Sequence, residues 1–408
     1  MGLPSLPNST VPHCSGLPGT RPCTSKDIID YVNRRPPVYM PNTSPVYSNI
    51  GFAILGMVIE AVTGKNFGDV VKSDIFDVAG LGSTSFNGPD ESFLETGFIP
   101  FGESTWNVTL GVFEAAGGMF SNTVDMLAFC EAILKNQLLT AVQTREWMKP
   151  ISHTSSLGYS VGAPWEILRS NNLTTDKRLI DVYTKSGDLG LYHALIGVVP
   201  DYDLAITVLT GGLEATLESH ARTEIFSTVM ESLLPSIDEA AREETVQRGI
   251  VGTFSDPSTN SSIQLRMDDG PGILIDSFIV RGFDVVSNIP KYSLGSLESH
   301  SPGSDTVHVE GRLYPSDITS RLGQEWKQNE TSTENVWRAA FDTLTEEQRA
   351  MQNRKLFNIN GSCESWFSLD RSAYNYLSLA EFVFRVDGSG RVKTVHNAAF
   401  NVTLTSAQ

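Results

Sequence analysis

The sequence predicts an α/β domain with an antiparallel sheet, followed by a separate antiparallel all-β domain. Residues 1–236 combine helical patterns with two β-rich runs, 191–199 and 204–210, which a Pro-Asp-Tyr-Asp turn joins into a hairpin. In residues 247–408 apolar side chains recur at every second position, between turns rich in Gly, Asp, Asn and Ser. A chain of 408 residues is long enough for two domains. We therefore place the first domain at residues 1–236 and the second, a barrel or sandwich, at 247–408.

Helices account for much of the first domain. The second of them is apolar on nearly every side, which predicts that most of its faces are buried. Gly64 is suited to end that helix, and Thr24 or Ser25 is suited to begin the first one. The predicted helices, in chain order, cover residues 26–32, 48–64, 67–78, 122–135 and 214–234.

Tyr47 and Asn49 stand in the loop that leads directly into the apolar helix. A phenol can pass protons on when nearby cations lower its pKa, and an asparagine amide can hold a carbonyl or a lysine ammonium by hydrogen bonds. The alternative is structural, with an aromatic side chain that packs and an asparagine that caps the helix. Such tripeptides are common by chance, so the flanking residues have to decide between the two interpretations.

The flanking pattern is Pro45-Val-Tyr-Ser-Asn-Ile-Gly-Phe-Ala-Ile-Leu-Gly, closing in Val-Thr-Gly-Lys65. It resembles the second motif of the serine β-lactamase and penicillin-recognising superfamily, and it is closest to the class C β-lactamase and esterase branch. The turn at 77–85 and the Gly-Gly segment at 113–126 resemble further segments of that superfamily. The resemblance implies a β-lactamase/transpeptidase-like first domain. Similar C-terminal barrels accompany the catalytic domain in secreted fungal members, which implies a lipocalin-like barrel at 247–408.

Lys185-Ser186-Gly187 resembles the third motif of the same superfamily, which lies on a strand that lines the active site. There a cation holds a substrate carboxylate or tunes the base, a small hydroxyl donates a hydrogen bond, and a glycine lets substrate lie against the strand edge. The resemblance therefore implies Tyr47, Asn49 and Lys185 as catalytic residues, with Ser186 and Gly187 binding a small-molecule, peptide or ester substrate. We expect all of these side chains to meet in one cleft.

The first motif of the superfamily, Ser-x-x-Lys, supplies the acylated serine and its lysine partner. No serine of this sequence is followed three residues later by a lysine. One hypothesis is an N-terminally truncated form of a secreted serine hydrolase with esterase or peptidase chemistry. The alternatives are a nucleophile-less binding or scaffold protein and an acyltransferase of a biosynthetic pathway. Either way, we expect the chain as it stands to be inactive in acyl-serine chemistry.

Charge and motif content exclude several other classes. The formal net charge of −17 argues against nucleic acid or an anionic membrane as a partner. No window has the length and apolar character of a transmembrane helix. The seven histidines show no metal-ligand spacing, and no dinucleotide or phosphate-loop signature occurs, so we expect no cofactor.

Sequons and cysteines indicate an extracellular protein. No signal peptide is visible at the start of the sequence, a feature that the truncation hypothesis explains. Cys14 and Cys23 bracket a loop rich in Pro and Gly and are able to close a small disulfide, whereas Cys130 lies among apolar residues as a buried thiol. The predicted glycosylation sites are Asn8, Asn42, Asn107, Asn172, Asn260, Asn329, Asn360 and Asn401.

Overall fold

The structure is a computed structural model that describes residues 14, 20–86, 97–106, 108–292, 309–319, 333–342 and 369–407. The chain divides into two compact units. One comprises Met1–Leu173 with Leu179–Leu234, and the other comprises Thr174–Arg178 with Pro235–Gln408. Each unit is described by itself below.

The first unit contains short helices and one antiparallel sheet. The sheet has six strands in the order β1-β2-β3-β4-β5-β6, so every strand pairs with its neighbour in the sequence. The helices that lie in this unit or begin in it are α1 Ser25–Val32, α2 Asn49–Thr63, α3 Phe67–Val71, α4 Asp77–Ala79, α5 Glu114–Gly117, α6 Thr123–Leu134, α7 Ala141–Trp147 and α8 Ala215–Gln247. The strands are β1 Ser152–His153, β2 Tyr159–Val161, β3 Glu166–Ser170, β4 Ile180–Leu189, β5 Tyr192–Val199 and β6 Leu204–Gly211.

Apolar side chains cover both faces of this sheet. On one face, strand residues such as Ile180 and Val199 pack with Phe226, Met230 and Leu234 of α8. A second cluster joins Cys130 and Ile133 of α6 to Ile167, Ile196 and Val198 of the strands and to Trp165, which directly precedes β3. The predicted α/β fold with an antiparallel sheet is thus confirmed, including the β5–β6 hairpin that a short 3₁₀ turn joins.

The sequence predicts the two ends of α2 well, because local residues fix them, but the prediction that most faces of α2 are buried is wrong. Ser48 accepts a hydrogen bond from the Gly51 N–H, and Gly64 adopts the left-handed conformation that ends the helix. However, only Ala53 and Gly56 are buried, and Val62 is 81% exposed. An apolar composition favours burial of a helix but does not supply neighbours on every side, and the described residues cover α2 mainly along one stripe.

Two other helices differ from the prediction. The helix expected at 67–78 is interrupted by a π-helical turn at Lys72–Phe76, between α3 and α4. The helix expected to end at Leu234 continues through Pro235 to Gln247. A single proline removes one backbone hydrogen bond and bends a helix. The residues after it are rich in Ala, Glu and Arg, which favour helix, so α8 continues.

The second unit is a closed barrel, as the barrel-or-sandwich prediction allowed. Eight strands follow one another in the order β9-β11-β12-β15-β16-β17-β7-β8, and β8 pairs back with β9 to close the sheet. Large side chains such as Phe254, Phe278, Phe382 and Phe384 fill its interior. The strands are β7 Gly252–Asp256, β8 Ser261–Arg266, β9 Ile273–Val280, β10 Phe283–Asp284, β11 Glu310–Ile318, β12 Thr333–Asp342, β13 Ala373–Tyr374, β14 Leu377–Ser378, β15 Glu381–Val386, β16 Val392–Asn397 and β17 Val402–Ser406.

Length and hydropathy give little sign of a membrane span. In the part of the chain that the structure describes, no single helix is long and apolar enough to cross a membrane. Two successive segments, Asn49–Thr63 and Phe67–Ala79, are long and apolar enough only when they are taken together, and the chain bends by 83° between them.

Candidate active site

Tyr47 and Asn49 lie at the start of α2, on either side of its capping residue. The Tyr47 hydroxyl donates a hydrogen bond of 2.7 Å to Asn49 Oδ1. The Tyr47 ring also approaches the Phe52 ring, with 6.5 Å between the centroids. However, 65% of Tyr47 is exposed, so the phenol is accessible to a ligand.

Lys185 reaches the same place from the middle of β4. Its Nζ lies 5.2 Å from the centroid of the Tyr47 ring, within the range in which an ammonium is attracted to an aromatic face. The structure therefore brings Tyr47, Asn49 and Lys185 together, as the two motifs predict. The ammonium sits over the ring face, while the hydroxyl is directed to Asn49.

Glu166 is the partner that fixes the Lys185 ammonium. Lys185 Nζ donates to Glu166 Oε1 at 2.8 Å and to the Ser186 carbonyl at 2.8 Å. β3 begins at Glu166, opposite Thr184 of β4, so Lys185 and the residues after it extend past the end of β3. The Glu166 side chain covers the first part of that unpaired edge.

Ser186 turns both of its polar donors toward the same carboxylate. Its backbone N–H donates to Glu166 Oε2 at 3.0 Å, and its Oγ donates to Oε1 at 3.2 Å. Burial, with the negative charge of Glu166 as a second cause, also raises the pKa of the nearby Tyr159 phenol. Glu166 thus accepts hydrogen bonds from the Lys185 ammonium and from both donors of Ser186.

Gly187 follows on the exposed part of the edge. A Cβ added there would meet only Ala194, at an ordinary 3.9 Å. Packing within the described residues thus gives no reason for glycine at this position, which agrees with the predicted need for space beside the strand.

Asp188, His193 and Arg222 form a polar cluster at the end of the same strand. Asp188 Oδ1 contacts His193 Nδ1 and accepts a 2.8 Å hydrogen bond from Arg222. Arg222 also donates to the Gly187 and Ala194 carbonyls. His193 is only 4% exposed, its Nε2 has no hydrogen-bond partner among the described residues, and it borders a cavity of about 380 Å³.

A loop at residues 97–106 packs against the turn between β4 and β5. Glu103 accepts a hydrogen bond of 2.6 Å from the Leu191 N–H and also binds Thr105. Burial alone would raise the pKa of Glu103, but these hydrogen bonds outweigh it and lower the pKa. Gly190 is required here, because its φ is +60° and an added Cβ would lie 2.6 Å from Thr105 Oγ1.

The remaining predicted residues lie at positions with a structural role or on the surface. Cys14 and Cys23 form a disulfide. Among the predicted glycosylation sites, the described asparagines are exposed, namely Asn42, Asn172, Asn260 and Asn401. Asn8, Asn107, Asn329 and Asn360 lie outside the described residues, as does Cys363. The described residues contain no group of three or more His, Cys, Asp or Glu side chains placed to hold a metal ion.

Sequence reasoning missed Glu166, Asp188 and Arg222. Glu166 stands in a strand-like run before the Lys-Ser-Gly motif, and opposite charges on successive strands are a signal for cross-strand pairing. Asp188 directly follows the motif and carries no other signal. Arg222 is a lone cation on a long helix, so nothing in its neighbourhood marks it.

Family comparisons show where the chain belongs. The family model described as Beta-lactamase matches residues 11–229, which is more than half of the chain. The chain belongs to the β-lactamase family. A second model, described as Beta-lactamase-like-like, C-terminal domain, matches residues 241–408. Both halves of the chain therefore match families that share this name.

Two curated relatives are fungal. A protein named Beta-lactamase-like protein from Arthroderma benhamiae is 28% identical over 96% of this chain and 66% of its own length. A protein named Probable hydrolase clz13 from Cochliobolus lunatus is 26% identical over 95% of this chain and 59% of its own length. The chain thus spans about three fifths to two thirds of these β-lactamase-family relatives.

Among solved structures, a D-amino acid amidase from Ochrobactrum anthropi SV3 matches with a TM-score of 0.43 and 22% identity, over 56% of this chain and 70% of that chain. A likeness of this size supports no argument about substrate or mechanism.

Proposed function

We propose that this chain provides the tyrosine and lysine side of an acyl-serine hydrolase site that acts on small esters or amides, including peptides. The observation that carries the proposal is the meeting of Tyr47, Asn49 and Lys185, from distant parts of the sequence, at an accessible strand edge. Family membership and the hydrolase name of one relative support the same reaction class.

The geometry suggests a division of roles within such a site. A serine Oγ would attack the carbonyl carbon, and the Tyr47 phenolic oxygen is accessible to take and return its proton. The Lys185 ammonium lies beside that phenol, with its Nζ 5.2 Å from the centroid of the Tyr47 ring. β4 continues past the end of β3, and the backbone N–H of a strand edge is a type of donor that stabilises a developing oxyanion. Loss of the alcohol or amine, which takes the proton back from Tyr47, would leave an acyl-serine, and water would hydrolyse it to the free acid and the free serine.

The attacking serine, in this proposal, comes from a Ser-x-x-Lys segment that the printed sequence does not contain. We therefore expect no serine adduct when the chain as printed is treated with a fluorophosphonate or a β-lactam and weighed intact. A longer polypeptide that includes a Ser-x-x-Lys segment should become labelled. In that polypeptide Tyr47→Phe should slow labelling by about 10²–10⁴-fold if the phenol is the general base.

Tyr39→Phe is the matched control, since Tyr39 is also an exposed tyrosine and lies outside the proposed site. It should label at the unchanged rate. An adduct on any serine of the printed chain would refute the assignment of roles. If the longer polypeptide stays inert while small esters still bind near Tyr47, a nucleophile-less binding protein becomes the better account.

We further propose that the protein follows the secretory route. The exposed sequon asparagines and the Cys14–Cys23 disulfide support this, because N-glycans need surface positions and structural disulfides persist in oxidising compartments. Protein secreted from a eukaryotic host should lose mass on enzymatic deglycosylation, with Asn converted to Asp at the occupied sites. Mass unchanged at all eight sequons would contradict the proposal.

A further inference from the structure

Glu166 occupies the hydrogen-bond donors of the Lys-Ser-Gly motif, where the resemblance implies a cation that holds a substrate carboxylate or tunes the base. Its two oxygens accept from the Lys185 ammonium, the Ser186 N–H and the Ser186 hydroxyl, at 2.8, 3.0 and 3.2 Å. A ligand carboxylate placed on the same edge would use these same donors. The chain's own carboxylate therefore stands where an anionic ligand group would bind.

From this geometry we infer that Glu166 sets the charge specificity of the site. The site takes substrates that carry no carboxylate beside the reacting carbonyl, such as neutral esters and amides, and it disfavours those that do. This inference rests on the proposed function and narrows its substrate class.

Charge balance supports the inference. Lys185 and Glu166 form an ion pair whose side chains are both about three-quarters buried, so their charges cancel locally. An incoming carboxylate would have to displace Glu166 from Lys185 or lie beside it. Either arrangement leaves one carboxylate near another without a full complement of donors, which is unfavourable in a partly dehydrated site.

The pairing of β3 with β4 does not use the Glu166 carboxylate. β3 and β4 pair through their backbones from Glu166 to Ser170, and Thr184 Oγ1 binds the backbone carbonyl of Glu166. The same two strands carry a separate cross-strand ion pair, Arg169 with Asp181, at 2.8 Å. The contacts of the Glu166 side chain are thus directed at the motif residues.

The test compares two ligands that differ in one charge and one methyl group: an N-acetylated dipeptide with a free C-terminal carboxylate and its methyl ester. Their dissociation constants are measured by calorimetry or NMR titration on the full chain, and on Glu166→Gln and Asp181→Asn. The second variant is a matched control, since it removes one negative charge and one ion pair from the same pair of strands.

We expect the natural chain to bind the acid about tenfold more weakly than the ester, a modest effect because solvent screens part of the repulsion. Glu166→Gln should reduce or reverse this ratio, and Asp181→Asn should leave it unchanged. In the natural chain the ratio should also shrink as salt is added, a measurement that remains valid if Glu166→Gln folds poorly.

The outcomes separate the two proposals. If the natural chain binds acid and ester equally, or if the ratio responds neither to Glu166→Gln nor to salt, the inference about Glu166 is overturned while the proposed function stands. If neither ligand binds the natural chain or either variant, the proposed function fails, and the specificity inference fails with it.

Discussion

A single methyl group added at Gly56 should weaken the packing of α2, the helix that begins at Asn49. Gly56 is buried in the middle of α2, where an added Cβ would lie 2.6 Å from the Cβ of Ala115 in α5. Both atoms would be fixed directly to helix backbone, so a rotamer change cannot relieve the contact. Gly56→Ala therefore forces α2 and α5 apart.

Two opposing effects set the size of the change in stability. Alanine is the better helix former by about 1 kcal/mol, whereas overpacking a close contact costs about 1–3 kcal/mol. We expect a net loss of up to about 2 kcal/mol for Gly56→Ala. Ala115→Gly removes the clashing methyl group, so the two substitutions together should restore stability, with a coupling energy of about 1–3 kcal/mol between the two sites.

The assay is urea unfolding of the four chains of this double-mutant cycle, followed by circular dichroism and by hydrogen exchange of the α2 amides. Gly117→Ala is the control, because a Cβ at Gly117 would meet no other atom within 4 Å, and it should be neutral or mildly stabilising. Additive effects of the two substitutions, or a Gly56→Ala chain as stable as the control, would refute the α2–α5 contact.

Three further predictions concern titratable groups. Burial, reinforced by the negative charge of Glu60, raises the pKa of Glu114. Ionised Glu114 therefore lowers the free energy of unfolding, and this penalty develops as pH rises from the ordinary carboxyl pKa to the raised one. Glu114→Gln should raise the Tm more at pH 7 than at pH 4, and an equal gain would contradict this. The hydrogen bond from Arg312 lowers the pKa of Asp268, so its stabilisation exists above the ordinary carboxyl pKa and is lost in stronger acid. Asp268→Asn should flatten the acid limb of the stability curve, which a steepened limb would disprove. Burial raises the pKa of the fully buried Cys130 thiol to about 11; iodoacetamide should modify it only in denaturant, and rapid modification of the native protein would show that the site opens.

Features of the fold that depend on neighbours in the sequence could be predicted closely. α1 begins after Thr24 with a capping box, and α2 runs between Ser48 and Gly64, because cap residues act within one helical turn. Asn122 likewise caps α6. The Asp125 carboxylate, however, binds the Ser83 N–H and Thr84 instead of completing a capping box. That partner lies about forty residues away, beyond the reach of local reasoning.

The residues of the candidate site could likewise be predicted only where a local motif marks them. Tyr47, Asn49 and Lys185 could be found because each stands in a motif with a characteristic order of residue types. Glu166 could not, because its role depends on where β3 begins relative to β4, and an alternating pattern does not specify register. The predicted burial of α2 was wrong for a related reason. An apolar face favours burial, but only the tertiary structure decides whether neighbouring residues cover it.

Gly187 and Gly190 lie near the end of β4, and they are constrained by different forces. Gly190 combines a positive φ with a contact that any side chain would violate, whereas Gly187 shows neither. In a library of variants scored separately for abundance and for ligand binding, Gly190 should tolerate almost no substitution on either score. Gly187 should tolerate many in abundance and few in binding. The ratio of the two scores along β4 would then show, for each residue, whether folding or ligand binding limits the substitutions that it tolerates.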